Sequence, residues 1–215
     1  MREQLSVRCA SCKNKDCRNG KDCFGMADRD KKIYKDERIS RLHTAASAIE
    51  ARHYCKEPRL REVILLAREL RCHKVGLAFC VGLESEAKII ADILSQEFEV
   101  VSVCCKVCGI AKSDFHLEQI SSGENYEVMC NPAGQAEILN ESGTDLNILC
   151  GLCVGHDAVF SMMSKASVTT LIVKDRVLAH NPVGAVYSKY IRKRMLADEE
   201  NSPKEKASMD QGIKT

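Results

Sequence analysis

Val75-Gly-Leu-Ala-Phe-Cys-Val81 is an unbroken apolar run of strand length. A run with no polar alternation suits a strand buried on both faces. Gly82 closes it, and apolar residues then recur at helical spacing through Ala87, Ile90, Ala91 and Leu94. Phe98 to Cys104 reads as a second strand. Pro132 to Asn140 reads as a short helix closed by Gly143, and Leu146 to Cys150 as a third strand. Gly151 and Gly155 mark a loop, Asp157 caps a helix that runs to Ser164, and Val168 to Lys174 is a β-branched fourth strand. Pro182 opens a last helix that reaches about Leu196. The polar stretch from Lys112 to Glu127 takes no assignment. Strands alternating with helices predict an α/β fold: a small parallel sheet of about four strands, order 2-1-3-4, with helices on both faces. Its crossovers are expected to be right-handed.

Upstream of this pattern, Ile39, Leu42, Ala46, Ile49 and His53 form one face of a helix between Asp36 and Tyr54. Pro58 opens another, with Leu60, Val63, Ile64, Ala67 and Leu70 on one face. These two predict a helical hairpin. The expected organisation is a metal-binding module over residues 1–30, the hairpin over 31–74, the α/β domain over 75–196 and a disordered charged tail over 197–215.

The first module is the other informative stretch. Cys9, Cys12, Cys17 and Cys23 follow the order C-x2-C-x4-C-x5-C, with almost nothing apolar between them. So short a segment cannot build a core, so a metal is what would order it. Thiolates select zinc, copper(I) or iron–sulfur clusters. All-cysteine ligation is what a 4Fe–4S cluster takes. The competing reading is zinc, because the spacing is close to a zinc knuckle with Cys in place of His. Lys13, Lys15, Arg18 and Lys21 read either as phosphate contacts or as counter-charges to four thiolates, and the second is the plainer reading.

Composition sets the bounds. The 215 residues carry a formal net charge of +2, and 45% are hydrophobic. A sizeable core is therefore within reach, and no global field favours nucleic acid or a membrane surface. Only 5% are aromatic, which leaves little for base stacking, so nucleic acid is not an expected partner. No apolar run approaches the roughly 18 residues of a membrane helix. The N-terminus lacks the apolar stretch of a secretory signal, so the expected compartment is the cytoplasm. Cysteine is the outlier at thirteen residues. In a reducing compartment that count reads as metal binding or thiol chemistry rather than disulfides.

The predicted topology gathers the other cysteines. Ligands of a parallel α/β sheet bind at the carboxyl ends of its strands. Cys80 falls at the end of the first strand, Cys104 and Cys105 at the end of the second, and Cys150 and Cys153 at the end of the third. Cys130 precedes the helix that leads into the third strand. Taken singly, Cys80 and Cys104 read as small core hydrophobes. Taken together, Cys80, Cys104, Cys105, Cys130 and Cys153 are candidate ligands of a second centre, with Cys104 as the alternate. His156, Lys174 and His180 are the candidate catalytic residues on the same edge. His156 reads as a ligand, a proton donor or a neighbour of the helix cap, and Lys174 and Arg176 as receivers of an anion.

GLAFCVGLESEAKIIADIL, VSVCCKVCGI, MCNPAGQAEILNESGTDLNILCGLCVGHD and VKDRVLAHNP, with CASCKNKDCRNGKDCFG at the N-terminus, resemble an uncharacterised prokaryotic family of cysteine-rich proteins. It is a domain-of-unknown-function family for which metal binding is the expectation. The resemblance covers roughly residues 9–190. It implies the same nine cysteines as family positions: Cys9, Cys12, Cys17, Cys23, Cys80, Cys104, Cys105, Cys130 and Cys153. Cys108 and Cys150 depart from the family pattern, which has glycine there. Two functions follow from the residues. One is an iron–sulfur redox protein, an electron carrier or oxidoreductase-like enzyme with a redox partner protein. The other is a zinc-stapled module that binds a small anionic ligand or a protein.

Overall fold

The computed structural model describes residues 7–120 and 126–201. The chain divides into two compact units, Met1–Glu57 and Pro58–Thr215. Of the sequence expectations, the remainder of the tail, 202–215, lies outside the described residues.

The first unit holds two single-turn 3-10 segments, Cys9–Ser11 and Asp16–Asn19, then helix α1 (Ala27–Ile33) and helix α2 (Glu37–His53). The 3-10 turns and α1 bury no residue. Helix α1 is a helix within what the sequence presents as loop. It forms because Asp22 Oδ2 accepts from the Ala27 N–H at 2.9 Å, and because it carries Asp28 and Asp30 in its first turn and Lys31 and Lys32 in its last. That charge order suits the helix dipole. Asp36 caps α2 through the Ile39 N–H, and Ala45 and Ile49 are its buried residues. The Tyr34 and His43 rings meet edge to face at 4.8 Å.

The second unit begins with α3 (Arg59–Glu69) and then alternates: β1 (Lys74–Phe79), α4 (Glu84–Leu94), β2 (Glu99–Cys104), α5 (Pro132–Glu141), β3 (Leu146–Cys150), α6 (His156–Met163) and β4 (Ser167–Ile172). All pairings are parallel and the order is β2-β1-β3-β4, as the alternation predicts. Ala78, Val103 and Leu149 pack with Ala136 and Leu139 of α5 and Phe160 of α6. Successive residues point to opposite faces, so Val75, Leu77 and Ile148 look the other way, where α3 and α4 lie along the sheet. These three are fully buried, and each such side chain contributes about 1.5–3 kcal/mol. Gly76 is a close-approach glycine: a Cβ there would stand 2.1 Å from Asn147 Oδ1 and 2.8 Å from Leu139 Cδ1.

Several boundaries differ from the sequence reading. β1 ends at Phe79, because Val81 opens a 3-10 turn, Val81–Leu83, and α6 starts at His156, with Gly155 rather than Asp157 at its cap position and no side-chain cap. β4 stops at Ile172, because Val173 is exposed and Lys174 turns back toward Cys80. The last helix is two, α7 (Val183–Tyr187) and α8 (Lys189–Asn201), broken where Ser188 takes an extended conformation. α8 therefore continues past the expected start of a disordered tail at 197. The unassigned polar stretch holds a 3-10 turn, Lys112–Phe115, and is closed at its base by an antiparallel bridge between the flanking Ala111 and Val128. Among the described residues, no helix is long and apolar enough to cross a membrane.

Candidate metal centres

Register builds the edge site. Phe79 stands beside both Cys104 of β2 and Cys150 of β3. One residue beyond these rows, the Cys80 N–H donates to Cys150 O at 3.1 Å and the Cys105 N–H to Phe79 O at 2.8 Å. Cys80 and Cys105 are thus the first residues past two neighbouring strands, and both are buried. Cys130 arrives on the strap that leads to α5. The Asn131 N–H donates to Cys105 O at 2.8 Å, and Asn131 Oδ1 accepts from the Gly134 N–H to cap α5. Cys153 sits in the turn before α6, where its carbonyl accepts from the His156 N–H at 2.9 Å. Gly151 makes that turn with φ of 65°, and a Cβ would fall 2.0 Å from Leu83 Cδ1.

These residues share one narrow cleft, lined by Cys80, Cys105, Cys130, Cys153, His156 and Gln135, among others. It is too tight for a water molecule. Ligand atoms of Cys130, Cys153 and His156 all lie within 4.8 Å of one another. Among the described residues this is the single group of three or more His, Cys, Asp or Glu side chains with that property.

Two cations close the rim. Lys174 Nζ donates to Cys80 Sγ at 3.4 Å, and Arg176 Nη2 to Cys153 Sγ at 3.0 Å. Burial pushes the Cys80 thiol up, but the Gly82 N–H, the Lys174 ammonium and the Cys105 thiol outweigh it, and it falls below the ordinary cysteine range. Cys105 goes the other way, to about 12: burial dominates over the donating Val81 N–H, and the nearby Cys130 and Cys80 add to it. The two thiols are thus pushed apart, Cys80 the more acidic of the pair and Cys105 the less. The Cys153 sulfur raises the Arg176 guanidinium still further above its ordinary value.

The remaining sequence candidates lie apart from the cavity lining. Cys104 is half-buried against the α5–α6 cluster and takes the Lys106 N–H at 3.5 Å. Cys150 is fully buried, with its thiol raised to about 11 by burial. Cys108 is exposed at a φ of 68°. His180 closes its own loop, Nδ1 accepting from the Asp175 N–H at 3.1 Å. Gln135 is the lining residue that sequence reasoning missed. It is fully buried, and its Oε1 has no hydrogen-bond partner. An unpaired buried acceptor costs about 1–3 kcal/mol. In sequence it is one polar residue on a helix, with nothing to distinguish it from a solvated one.

The N-terminal cysteines are held differently. Cys9, Cys12, Cys17 and Cys23 are exposed and line one open hollow of about 700 Å³, with basic Lys15 and Arg18 at its wall. The Lys15 N–H donates to Cys12 Sγ at 3.4 Å. No three of these four sulfurs form a group within 4.8 Å.

The family model for DUF1847, a protein of unknown function, matches residues 17–171. That span takes in Cys17, Cys23 and every residue that lines the edge cavity. Uncharacterized protein MJ0455 of Methanocaldococcus jannaschii is 53% identical over 193 residues, which cover 88% of this chain and 98% of the relative. No solved structure matches the chain. Match and identity both exceed what a shared fold alone would give, and the chain belongs to the DUF1847 family.

Proposed function

We propose that this is a metalloprotein with two unlike centres: one thiophilic ion in the sheet-edge pocket and a 4Fe–4S cluster on the N-terminal cysteines, together serving a redox function. The observation that carries it is the convergence of Cys130, Cys153 and His156 within 4.8 Å. Two ligands on one zinc ion, each about 2.0–2.3 Å from it, stand no more than about 4.6 Å apart. The edge group is close to that limit. Cys80, which lines the same cavity and takes a hydrogen bond from Lys174, is the fourth ligand in this reading. An ion drawn in among sulfurs needs no free void, whereas a cubane does not fit so tight a space.

The N-terminal hollow calls for the opposite argument. Four sulfurs around one hollow, without single-ion spacing, suit ligands placed on separate corners of a cluster. The all-thiolate donor set suits iron–sulfur chemistry. Lys15 and Arg18 on the wall would offset its charge and offer contacts to an acidic redox partner protein. The edge spacing also favours a second reading. If both centres hold zinc, the chain is a zinc-stapled binding module, and Lys174 and Arg176 receive a small anion.

Anaerobic purification followed by iron, zinc and acid-labile sulfide analysis separates the two. The redox reading expects iron and sulfide in equal amounts, lost together in Cys12→Ser, and one further ion lost in Cys153→Ser. Zinc alone, with no sulfide and no brown colour, would sink the iron–sulfur part and leave the binding module.

A further inference from the structure

We propose that Gln135 is the acceptor for the ring N–H of His156 when the edge pocket holds its ion; this rests on the metal reading given above. Gln135 stands on α5 with no exposed surface. Its Nε2 donates to Phe79 O at 3.1 Å and to Val103 O at 2.7 Å, carbonyls at the ends of β1 and β2. Both amide hydrogens are thereby committed. Turning the amide over would set Oε1 against two carbonyl oxygens, so its direction is fixed. Oε1 is nevertheless without a partner. Buried polar atoms are paired in nearly all native structures, so a donor is missing.

The cavity lining supplies a short choice of donors. Besides Gln135 it consists of four cysteines, Pro132, Leu152 and His156. A thiol is at best a weak donor, and thiols that become ligands give up their protons. An imidazole ligand is different. One ring nitrogen takes the ion while the other keeps its hydrogen, and that N–H is held by a carbonyl or carboxylate in nearly every such site. His156 is the one N–H donor side chain in the lining, and Gln135 Oε1 the one acceptor left open. Pairing them fixes the tautomer and ring plane of His156 and raises the basicity of the nitrogen facing the ion. Gln135 is in this sense a positioning residue: it acts on the ion through His156.

The test uses the full chain with isotope-labelled histidine, loaded with zinc or cadmium. In the wild type, His156 should show one metal-bound nitrogen and one N–H whose proton exchanges slowly with water. Gln135→Met should weaken zinc about 10- to 100-fold in competition with a chelator and speed that exchange. Gln135→Glu, held as the neutral acid by the two carbonyls it faces, donates to one of them and still offers an acceptor to His156, so it should retain most of the affinity. In a His156→Cys background, Gln135→Met should cost no further affinity. Equal losses in the Met and Glu variants, or an undiminished loss beside His156→Cys, would reduce Gln135 to an anchor of the strand ends and overturn the assignment. If Gln135→Met does not fold, the wild type decides: a loaded His156 N–H that exchanges as fast as free imidazole overturns it. The reading beneath fails separately, if Cys153→Ser binds as many ions as the wild type.

Discussion

Cys9, Cys12, Cys17 and Cys23 are exposed on turns that bury nothing, whereas Cys80 and Cys105 are buried and Cys130 and Cys153 half-buried. The first set is built by spacing along 15 residues. The second is built by topology, from loops that only a parallel sheet with this strand order brings side by side. A site made by spacing is ordered by what it binds. A site made by topology exists before anything binds, because the core fixes its walls. The edge sulfurs also have cations already in place, Lys174 on Cys80 and Arg176 on Cys153, so their charge is partly met by the chain itself.

The widest difference should appear in thiol reactivity. With metal removed, at about pH 8, Cys105 with its thiol near 12 should react with an alkylating agent more slowly than an ordinary cysteine by a factor of roughly a thousand or more. Cys12 is exposed and should label at once. Mass mapping of a time course reads both. Labelling of Cys105 at the pace of Cys12 would mean that the edge pocket opens freely, and the contrast would collapse.

Next in size is the dependence on a core. Phe160 is fully buried against Cys80, Cys105 and their neighbours, so Phe160→Ala should cost about 3–5 kcal/mol in urea unfolding. Phe24 lines the N-terminal hollow but is 42% exposed. Phe24→Ala should stay within about 0.5 kcal/mol. Comparable losses from the two would show that the N-terminal unit has a core of its own.

How much of this is readable from sequence divides along the same line. The N-terminal set is legible outright, since its ligands are neighbours in the chain. The sheet is legible because β1 is apolar on both faces and β3 is so but for Asn147, so that Val75–Val81 and Leu146–Cys150 stand out as runs. From that sheet the edge cysteines follow as a group. What does not follow is selection within the group. Cys104 and Cys105 are adjacent, and sequence alone cannot say which one meets the cavity. His156 is one residue past a glycine, equally fit to be a ligand or a cap neighbour. Gln135 gives no sign at all, because its importance lies in two carbonyls at the ends of strands that are distant in sequence. The break at Ser188 is also silent, having neither Gly nor Pro to mark it.

Metal linkage gives a third contrast, smaller than a core deletion. Zinc supplied to the metal-free chain at 100 times its dissociation constant should raise the stability of the second unit by about 2.7 kcal/mol. Cys12→Ser should keep that gain, and Cys153→Ser should lose it. A gain lost in Cys12→Ser would tie the α/β fold to the N-terminal metal and refute their independence.

The smallest contrast lies in two carboxylates, one per unit. Glu97 is held below the usual range chiefly by its hydrogen bonds from Arg68, burial opposing, with the charges of Arg68 and Arg61 adding to the depression. Asp22 is held below it by the Ala27 N–H first, then those of Met26, Phe24 and Gly25. Both are depressed acids. Each therefore adds stability that is complete above its unfolded value, about 4, and is lost as pH falls through the lower folded value. The consequences differ because the partners do. Glu97 joins two elements of a packed unit through a surface ion pair, so Glu97→Gln should cost less than about 1 kcal/mol at neutral pH and nothing at about pH 2. Asp22 instead orders a turn into α1, where no core holds the chain. Acid should therefore release amide protection at Ala27 and Phe24 locally, with the amides of β1 and β3 still protected. Loss of protection in β1 and β3 in the same pH step would mean that the two regions open together.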